Sequence, residues 1–181
     1  MGVRRIQAVT PDYTERMGIK DSLLPEFDHE MGSTRRLMER IPEAQFGWKP
    51  HEKSYSLGAL SSHIANIPRW AGLALDAPEY DLATAEDARP AVPPSLDDLL
   101  RSFDANVKTA RAKLADQTDA SLMAPWTLKS DGHEMFTMPR ISVLRSFVLN
   151  HVIHHRGQLT VYLRLQNVPL PSLYGPTADE P

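Results

Sequence analysis

The sequence of 181 residues predicts an all-α protein, a four-helix bundle with a long crossover between its second and third helices. Four segments place apolar residues at the spacing of an amphipathic helix, which buries one face in a core. A connection without helical pattern, residues 77–94, is rich in Pro, Ala and Asp and lies between the second and third segments. It is long enough to return along the bundle, so the two helices that it joins are expected to run parallel.

The predicted helices start and end at residues that favour helix boundaries. They run from about Ser22 to Arg40, from about Ser56 to Leu75, from Ser95 through Leu114, and from near Pro139 to about Gln166. Ser95 opens a plausible capping sequence, Ser-Leu-Asp-Asp, and Pro139 suits a first helical turn. Inside the second helix, Pro68 cannot donate to the carbonyl of Ile64, which predicts a kink near His63.

The chain outside these helices is predicted to contain an arm and a hairpin. Residues 1–18 lack strong periodicity and are expected to form a loosely ordered N-terminal arm, which leaves one domain at residues 19–181. Within residues 124–138, APWTLK and EMFTMP flank Ser-Asp-Gly-His, a pattern that resembles two short strands around a turn. We therefore expect a small β-hairpin beside the bundle, between the third and fourth helices.

The composition argues against several classes of protein. Hydrophobic residues make up 41% of the chain and charged residues 24%, and the net charge is −3 with no basic stripe, so no nucleic-acid partner is expected. No apolar run reaches the ~18–20 residues of a membrane span, and no apolar segment follows the N-terminal arginines as in a signal peptide. We expect a cytoplasmic protein without a membrane partner. Because cysteine is absent, nitrogen and oxygen must hold any bound metal.

Two histidines of the predicted fourth helix are placed to bind one metal ion. His151 and His155 fall on the apolar face of that helix and lie four residues apart, so their rings stand one turn above each other. His154 lies more than about 90° from His155 around the helix and is expected to point elsewhere. Arg156 also faces away from the ligand pair, and we expect solvent or a dimer contact there.

His63 in the predicted second helix offers a third ligand. It lies at the edge of the apolar face, beside Ile67 and Trp70, so imidazoles from two facing helices can converge inside a bundle. The alternative is three core histidines with ordinary hydrogen-bond partners, but one shared ion would satisfy all three rings. Val152 stands where the zinc-peptidase motif H-E-x-x-H has glutamate, which excludes that class of peptidase.

Two other polar residues are candidates for the surroundings of the ion. Glu30 lies in the inward-facing sector of the first helix and is predicted to orient a ligand histidine or to act as a base; the alternative is a boundary carboxylate that reaches solvent. Gln158 lies next to the turn that holds His155. It is predicted to touch substrate or bound water, or else to be a surface amide.

Three stretches of the chain resemble the DinB superfamily. The segment HVIHHRGQLTVYLR, which begins at His151, is followed by LYGPTADE and is similar to the family's C-terminal signature. LLPEFDHEM in the first helix and WKPHEKSYSLGALSSHIA before and within the second are also similar and occur in the same order. The resemblance covers about residues 20–180, and it makes Met17 a candidate alternative start.

This resemblance implies a dimeric four-helix bundle whose metal site maps onto His63, His151 and His155. It implies one divalent transition metal (zinc, nickel, iron or manganese) and, in some members, a low-molecular-weight thiol as cosubstrate. Three neutral ligands leave a coordination position open, which is typical of catalytic sites. We therefore predict a metal-dependent thiol transferase or hydrolase acting on a small molecule. The alternative is a metal-binding stress-response protein without catalysis.

Overall fold

The computed structural model describes residues 17–84 and 91–180, and this part of the chain is predominantly helical with one small sheet. Its α-helices are α1 (Ile19–Met38), α2 (Leu57–Asn66), α3 (Arg69–Asp76), α4 (Leu96–Ala115), α5 (Asp119–Met123), α6 (Arg140–Val143) and α7 (Asn150–Leu165). Helix α4 contacts α1, α2 and α3, and α7 contacts α1 and α2. The predicted arm lies outside the described residues except for its last two. The four-helix-bundle arrangement stays a prediction.

The long helices begin where the chain supplies a cap. The Ser95 hydroxyl accepts a hydrogen bond from the N–H of Asp98 (3.1 Å), which satisfies one of the free N–H groups at the start of α4. Ser56 caps α2 in the same way. Helix α1 begins at Ile19, three residues before its predicted start, because the Asp119 carboxylate accepts a hydrogen bond from the Ile19 N–H (2.7 Å). That contact comes from a distant part of the chain.

The predicted second helix is divided into two helices at Pro68. Helix α2 ends at Asn66 and α3 begins at Arg69, with Pro68 between them in helical backbone conformation. Proline has no N–H to donate to the Ile64 carbonyl, and its ring would collide with that carbonyl in a continuous helix. The break leaves His63 in the last turn of α2.

The predicted β-hairpin forms two strands of the sheet, but the sheet as a whole is not a hairpin, because it has three strands. They are β1 (Glu79–Asp81), β2 (Pro125–Ser130) and β3 (His133–Pro139). Strands β2 and β3 pair antiparallel around Asp131 and Gly132, which both have positive φ. Strand β1 pairs parallel with β2 and comes from the connection that shows no helical pattern. The Asp81 carboxylate accepts hydrogen bonds from the N–H groups of Asp131 (3.0 Å) and Gly132 (2.6 Å), which tie β1 to the turn.

The predicted fourth helix contains a wider turn just before its histidines. Helix α6 passes into a π-helical segment, Leu144–Leu149, and α7 follows from Asn150. The Asn150 N–H bonds to the carbonyl of Arg145, five residues back. Turns of this kind are rare and often lie at functional sites.

The core is apolar and lies between the helices. One cluster of buried apolar side chains joins α1, α2, α4 and α7, and a smaller one surrounds Trp126 beneath the sheet. The Trp126 indole donates to the Leu73 carbonyl (3.1 Å), so its one polar group is satisfied inside the fold. In the described part of the chain, none of the helices has the length and apolar character of a membrane span.

Candidate metal centre

Three histidines from two helices converge at one point. His63 comes from the end of α2, and His151 and His155 come from successive turns of α7. The Nε2 atom of His63 lies 3.2 Å from Nε2 of His151 and 3.1 Å from Nε2 of His155. All three side chains are half-buried. Within residues 17–84 and 91–180, they form the group of three or more histidine or carboxylate side chains whose ligand atoms lie close enough together to share one metal ion.

The spacing of the nitrogens fits a shared ion. Imidazole nitrogens bind zinc at about 2.0–2.1 Å, so two of them at a tetrahedral angle lie about 3.3 Å apart. The two Nε2–Nε2 distances of 3.1 and 3.2 Å are close to that separation. Three neutral nitrogens also match the ligand preference of zinc, nickel and iron, whereas manganese prefers oxygen.

The two rings on α7 are oriented by acceptors behind them. Nδ1 of His155 lies 2.7 Å from Oε1 of Gln158. The His151 ring is hydrogen-bonded to the backbone of Phe147, one turn earlier in the π-helical segment. An oxygen acceptor behind a ring favours the tautomer with the proton on Nδ1, which turns the Nε2 lone pair towards the centre.

The surroundings of the rings favour the neutral imidazole that binds metals. Burial, followed by the neighbouring His155 and His151, lowers the pKa of His63 to about 4. Burial also lowers the pKa values of His151 and His155, although the hydrogen bonds to Phe147 and Gln158 oppose this effect. All three rings are therefore neutral imidazoles at neutral pH, each with one nitrogen lone pair free to act as a ligand.

Hydrogen bonds among the rings do not satisfy the cluster. His151 and His155 both direct an Nε2 lone pair at Nε2 of His63, and that atom carries at most one proton. One lone pair is thus left without a donor inside the cluster. A cation at the centre removes this deficit for all three rings, which distinguishes the site from ordinary core histidines.

The two predicted neighbours of the ion lie in different surroundings. Gln158 contacts a ligand ring, His155, and its own side chain is exposed. Glu30 is buried, with 6% of its surface exposed, so the alternative of a carboxylate reaching solvent does not hold. Its carboxylate accepts hydrogen bonds from Arg156 (2.5 Å) and from the Tyr174 hydroxyl (2.8 Å). These two groups, rather than a ligand histidine, engage Glu30.

The prediction that Arg156 faces solvent or a dimer partner is wrong. Its side chain is fully buried, and it also donates to the Glu30 carbonyl (3.0 Å) and the Thr34 hydroxyl (3.2 Å). Helical spacing placed Arg156 away from the ligands, but α1 occupies that side of α7 instead of water. His154 is exposed and lies outside the histidine cluster.

The sequence did not predict that Tyr55, Tyr162 and Trp48 form an aromatic group next to the three histidines. The Tyr55 ring lies 6.1 Å from the His63 ring, between centroids, and is inclined to it by 30°. The backbone carbonyl of Tyr55 accepts a hydrogen bond from the Tyr162 hydroxyl (3.2 Å), and the Tyr162 ring packs edge-on against the Trp48 ring. Tyr162 follows His155 by seven residues, which is two helical turns, and that spacing is the sequence signal that was available.

Comparisons with known proteins agree with this fold and with these motifs. The DinB family model matches residues 15–181. An uncharacterised protein of Bacillus subtilis (strain 168), YrdA, is 27% identical over 164 residues, which cover 88% of this chain and 90% of YrdA.

Two solved structures share the fold. A DinB-like protein from Bacillus cereus ATCC 10987 superposes with a TM-score of 0.66 at 21% identity, covering 87% of this chain and 98% of that one. The DinB-like protein YjoA from Bacillus subtilis superposes with a TM-score of 0.65 at 20% identity, covering 85% and 99%. The family match extends over nearly the whole sequence, and the chain belongs to the DinB family.

Proposed function

We propose that this protein binds one divalent transition-metal ion through His63, His151 and His155 and uses it as an enzyme, a thiol transferase or a hydrolase acting on a small molecule. The observation that carries the proposal is the convergence of three Nε2 atoms, with two separations of 3.1–3.2 Å and too few protons to satisfy them. Zinc, nickel and iron fit this donor set best.

The ligand set favours catalysis over a purely structural role. Structural zinc sites are closed by four protein ligands, whereas catalytic sites commonly keep three and leave a position for substrate. A divalent ion held here would supply Lewis acidity and would lower the pKa of a thiol or of water. Because the described residues supply no anionic ligand at the cluster, the ion would keep its full charge, which favours an anionic partner such as the thiolate of a low-molecular-weight thiol cosubstrate.

The chain's own residues hold and orient the ligand set. Phe147 and Gln158 fix the two rings on α7 by accepting their Nδ1 protons. Val152, which follows the ligand His151, is buried and its side chain has no acid or base group. Proton transfer would therefore depend on the substrate or on groups at the solvent-facing side of the three histidines. Tyr55 is the candidate there, since it borders His63 and is 43% exposed.

A non-catalytic metal-binding stress-response protein is the second candidate. One observation favours it: among the described residues no carboxylate lies close to the three ligand nitrogens, and the predicted base, Glu30, is engaged by Arg156 and Tyr174. Turnover of any substrate that depends on the bound metal would exclude this candidate.

Elemental analysis of protein purified without a histidine tag tests the proposal. We expect about one metal ion per chain after reconstitution, loss of the ion in His151→Ala, and retention in His133→Ala, which removes an exposed histidine of the sheet. A screen of thiols and hydrolysable esters would then use the loaded protein. Absence of stoichiometric metal, or full turnover in metal-free His151→Ala, would contradict the proposal.

A further inference from the structure

We propose that Arg156, together with Glu30 and Tyr174, is a positioning group that fixes the rotation of α7 and thereby directs His151 and His155 at His63. The inference rests on the proposed metal binding and adds residues that belong neither to the ligand set nor to its direct contacts. It concerns how tightly and in what geometry the metal is held.

Arg156 differs from the other cations of the described chain in its burial. Its side chain is 2% exposed and that of Glu30 is 8% exposed, while the other ion pairs between described residues leave at least 24% of each side chain exposed. The guanidinium reaches four acceptors. They are the Glu30 carboxylate (2.5 Å), the Glu30 carbonyl (3.0 Å), the Thr34 hydroxyl (3.2 Å) and the Tyr174 hydroxyl (2.5 Å).

Stability alone is a poor explanation for such a pair. Removing two charges from water carries a large desolvation penalty, and apolar replacement of a buried pair is often neutral or stabilising. A guanidinium that donates from both terminal nitrogens provides a fixed orientation, because its planar donors set the angle at which α7 meets α1. The pair therefore specifies one rotation of α7 more strictly than apolar packing would.

The histidines are sensitive to that rotation. An imidazole Nε2 lies about 6–7 Å from the helix axis, so a rotation of 10° displaces it by about 1 Å. Metal sites tolerate errors in ligand distance of roughly 0.2 Å. The π-helical segment directly before His151 breaks the regular helix on that side, so α6 does not by itself set the rotation of α7. Arg156 lies immediately after His155 and supplies the missing constraint.

The C-terminal segment, residues 172–180, completes the group formed by Arg156 and Glu30. The Tyr174 hydroxyl donates to the Glu30 carboxylate and accepts from Arg156, and the Tyr174 ring lies 5.0 Å from the guanidinium carbon. Ion pairs of Asp179 with Arg164 and of Glu180 with Arg40 hold this segment against α7 and the end of α1. The order of the C-terminal segment is thus coupled to the rotation of α7.

A double variant separates positioning from stability. Glu30→Leu with Arg156→Met replaces the pair by apolar side chains of similar size, and its folding is checked by circular dichroism and urea unfolding. The probe is Co²⁺, titrated into full-length metal-free protein and followed by its visible absorption spectrum. We expect wild-type protein to bind Co²⁺ and the folded double variant to bind it about 10–100-fold more weakly, as for other groups that orient metal ligands. We also expect a changed d–d spectrum.

A matched control replaces an exposed ion pair on α1. Asp28→Leu with Arg111→Met removes the bidentate pair between α1 and α4 and is expected to leave Co²⁺ affinity and spectrum unchanged. A folded double variant at Glu30 and Arg156 with wild-type affinity and spectrum would overturn the inference. If that variant does not fold, Tyr174→Phe decides, because it keeps the ring and removes only the hydroxyl. A several-fold loss of affinity would support the inference, and no change would overturn it. Failure of wild-type protein to bind any metal would instead overturn the proposed function.

Discussion

Helix α7 carries two polar clusters on different faces, and they differ in how their polar atoms are satisfied. The histidine cluster brings together three neutral rings with too few protons, so its hydrogen bonding is incomplete and a cation would complete it. The cluster around Arg156 balances a guanidinium with a carboxylate and bonds it to four oxygens. An incomplete cluster indicates a binding site, while a complete one indicates a fixed contact, although His155 and Arg156 are neighbours in sequence.

The comparison predicts that breaking the complete cluster has the largest effect on stability. Arg156→Met alone leaves the Glu30 carboxylate buried without its cation, and we expect a loss of about 3–5 kcal/mol in the free energy of unfolding. Urea unfolding of metal-free protein measures it. Arg111→Met, which breaks an exposed pair, should cost less than about 1 kcal/mol. Equal losses for the two variants would show that burial does not distinguish them.

Removing the metal from the incomplete cluster is expected to have the next largest effect. When its free concentration is 100 times its Kd, an ion that binds only the folded chain stabilises that chain by about 2.7 kcal/mol. Thermal unfolding of protein treated with a chelator and then reloaded should therefore show a higher Tm when loaded. His63→Ala protein should show no such difference, and a metal-induced rise of Tm in that variant would place the ion elsewhere.

A smaller effect is expected from Gln158, which orients one ligand. Gln158→Ala removes the acceptor of the His155 Nδ1 proton, so we expect about tenfold weaker metal binding, or about 1.4 kcal/mol. Competition with a chromophoric chelator measures the affinity. Gln45→Ala, an exposed glutamine remote in sequence from the histidines, serves as control. Unchanged affinity in the Gln158 variant would mean that Gln158 is a surface amide whose contact with His155 does not affect metal binding.

The pH dependence of the metal-free protein is expected to reflect the titration of His63. The pKa of His63 is about 4 in the fold, below its ordinary value of 6.5, so the unfolded chain binds more protons between these values. The free energy of unfolding should therefore fall as the pH is lowered from about 6.5 towards 4 and should not depend on this group above pH 7. Urea unfolding at pH 7 and pH 5 tests it. His63→Ala should reduce the dependence to the part that His151 and His155 contribute, since burial lowers their pKa values too. An equal slope in both proteins would contradict the assignment.

The sequence predicted the histidine cluster because the positions of its members follow from the periodicity of single helices. The four-residue spacing of His151 and His155 and the position of His63 on a helix edge are properties of single helices. The Pro68 break also follows from a local property, the missing N–H, though the sequence predicted a kink where the structure has two helices.

The features that sequence reasoning missed depend on distant partners. Arg156 meets Glu30 across 126 positions of the chain, and Tyr174 meets Glu30 across 144, so no helical period reveals them. Strand β1 has three residues, too few to show alternation, and it exists because β2 offers an edge for parallel pairing. The π-helical segment changes backbone bonding within a sequence that reads as ordinary helix.

An anomalous difference map from crystals of metal-loaded, untagged protein tests the central claim most directly. We predict one peak per chain, about 2.0–2.1 Å from the Nε2 atoms of His63, His151 and His155, with at least one coordination position not filled by the protein. A peak at other residues, coordination through Nδ1, or no peak in metal-loaded protein would contradict it.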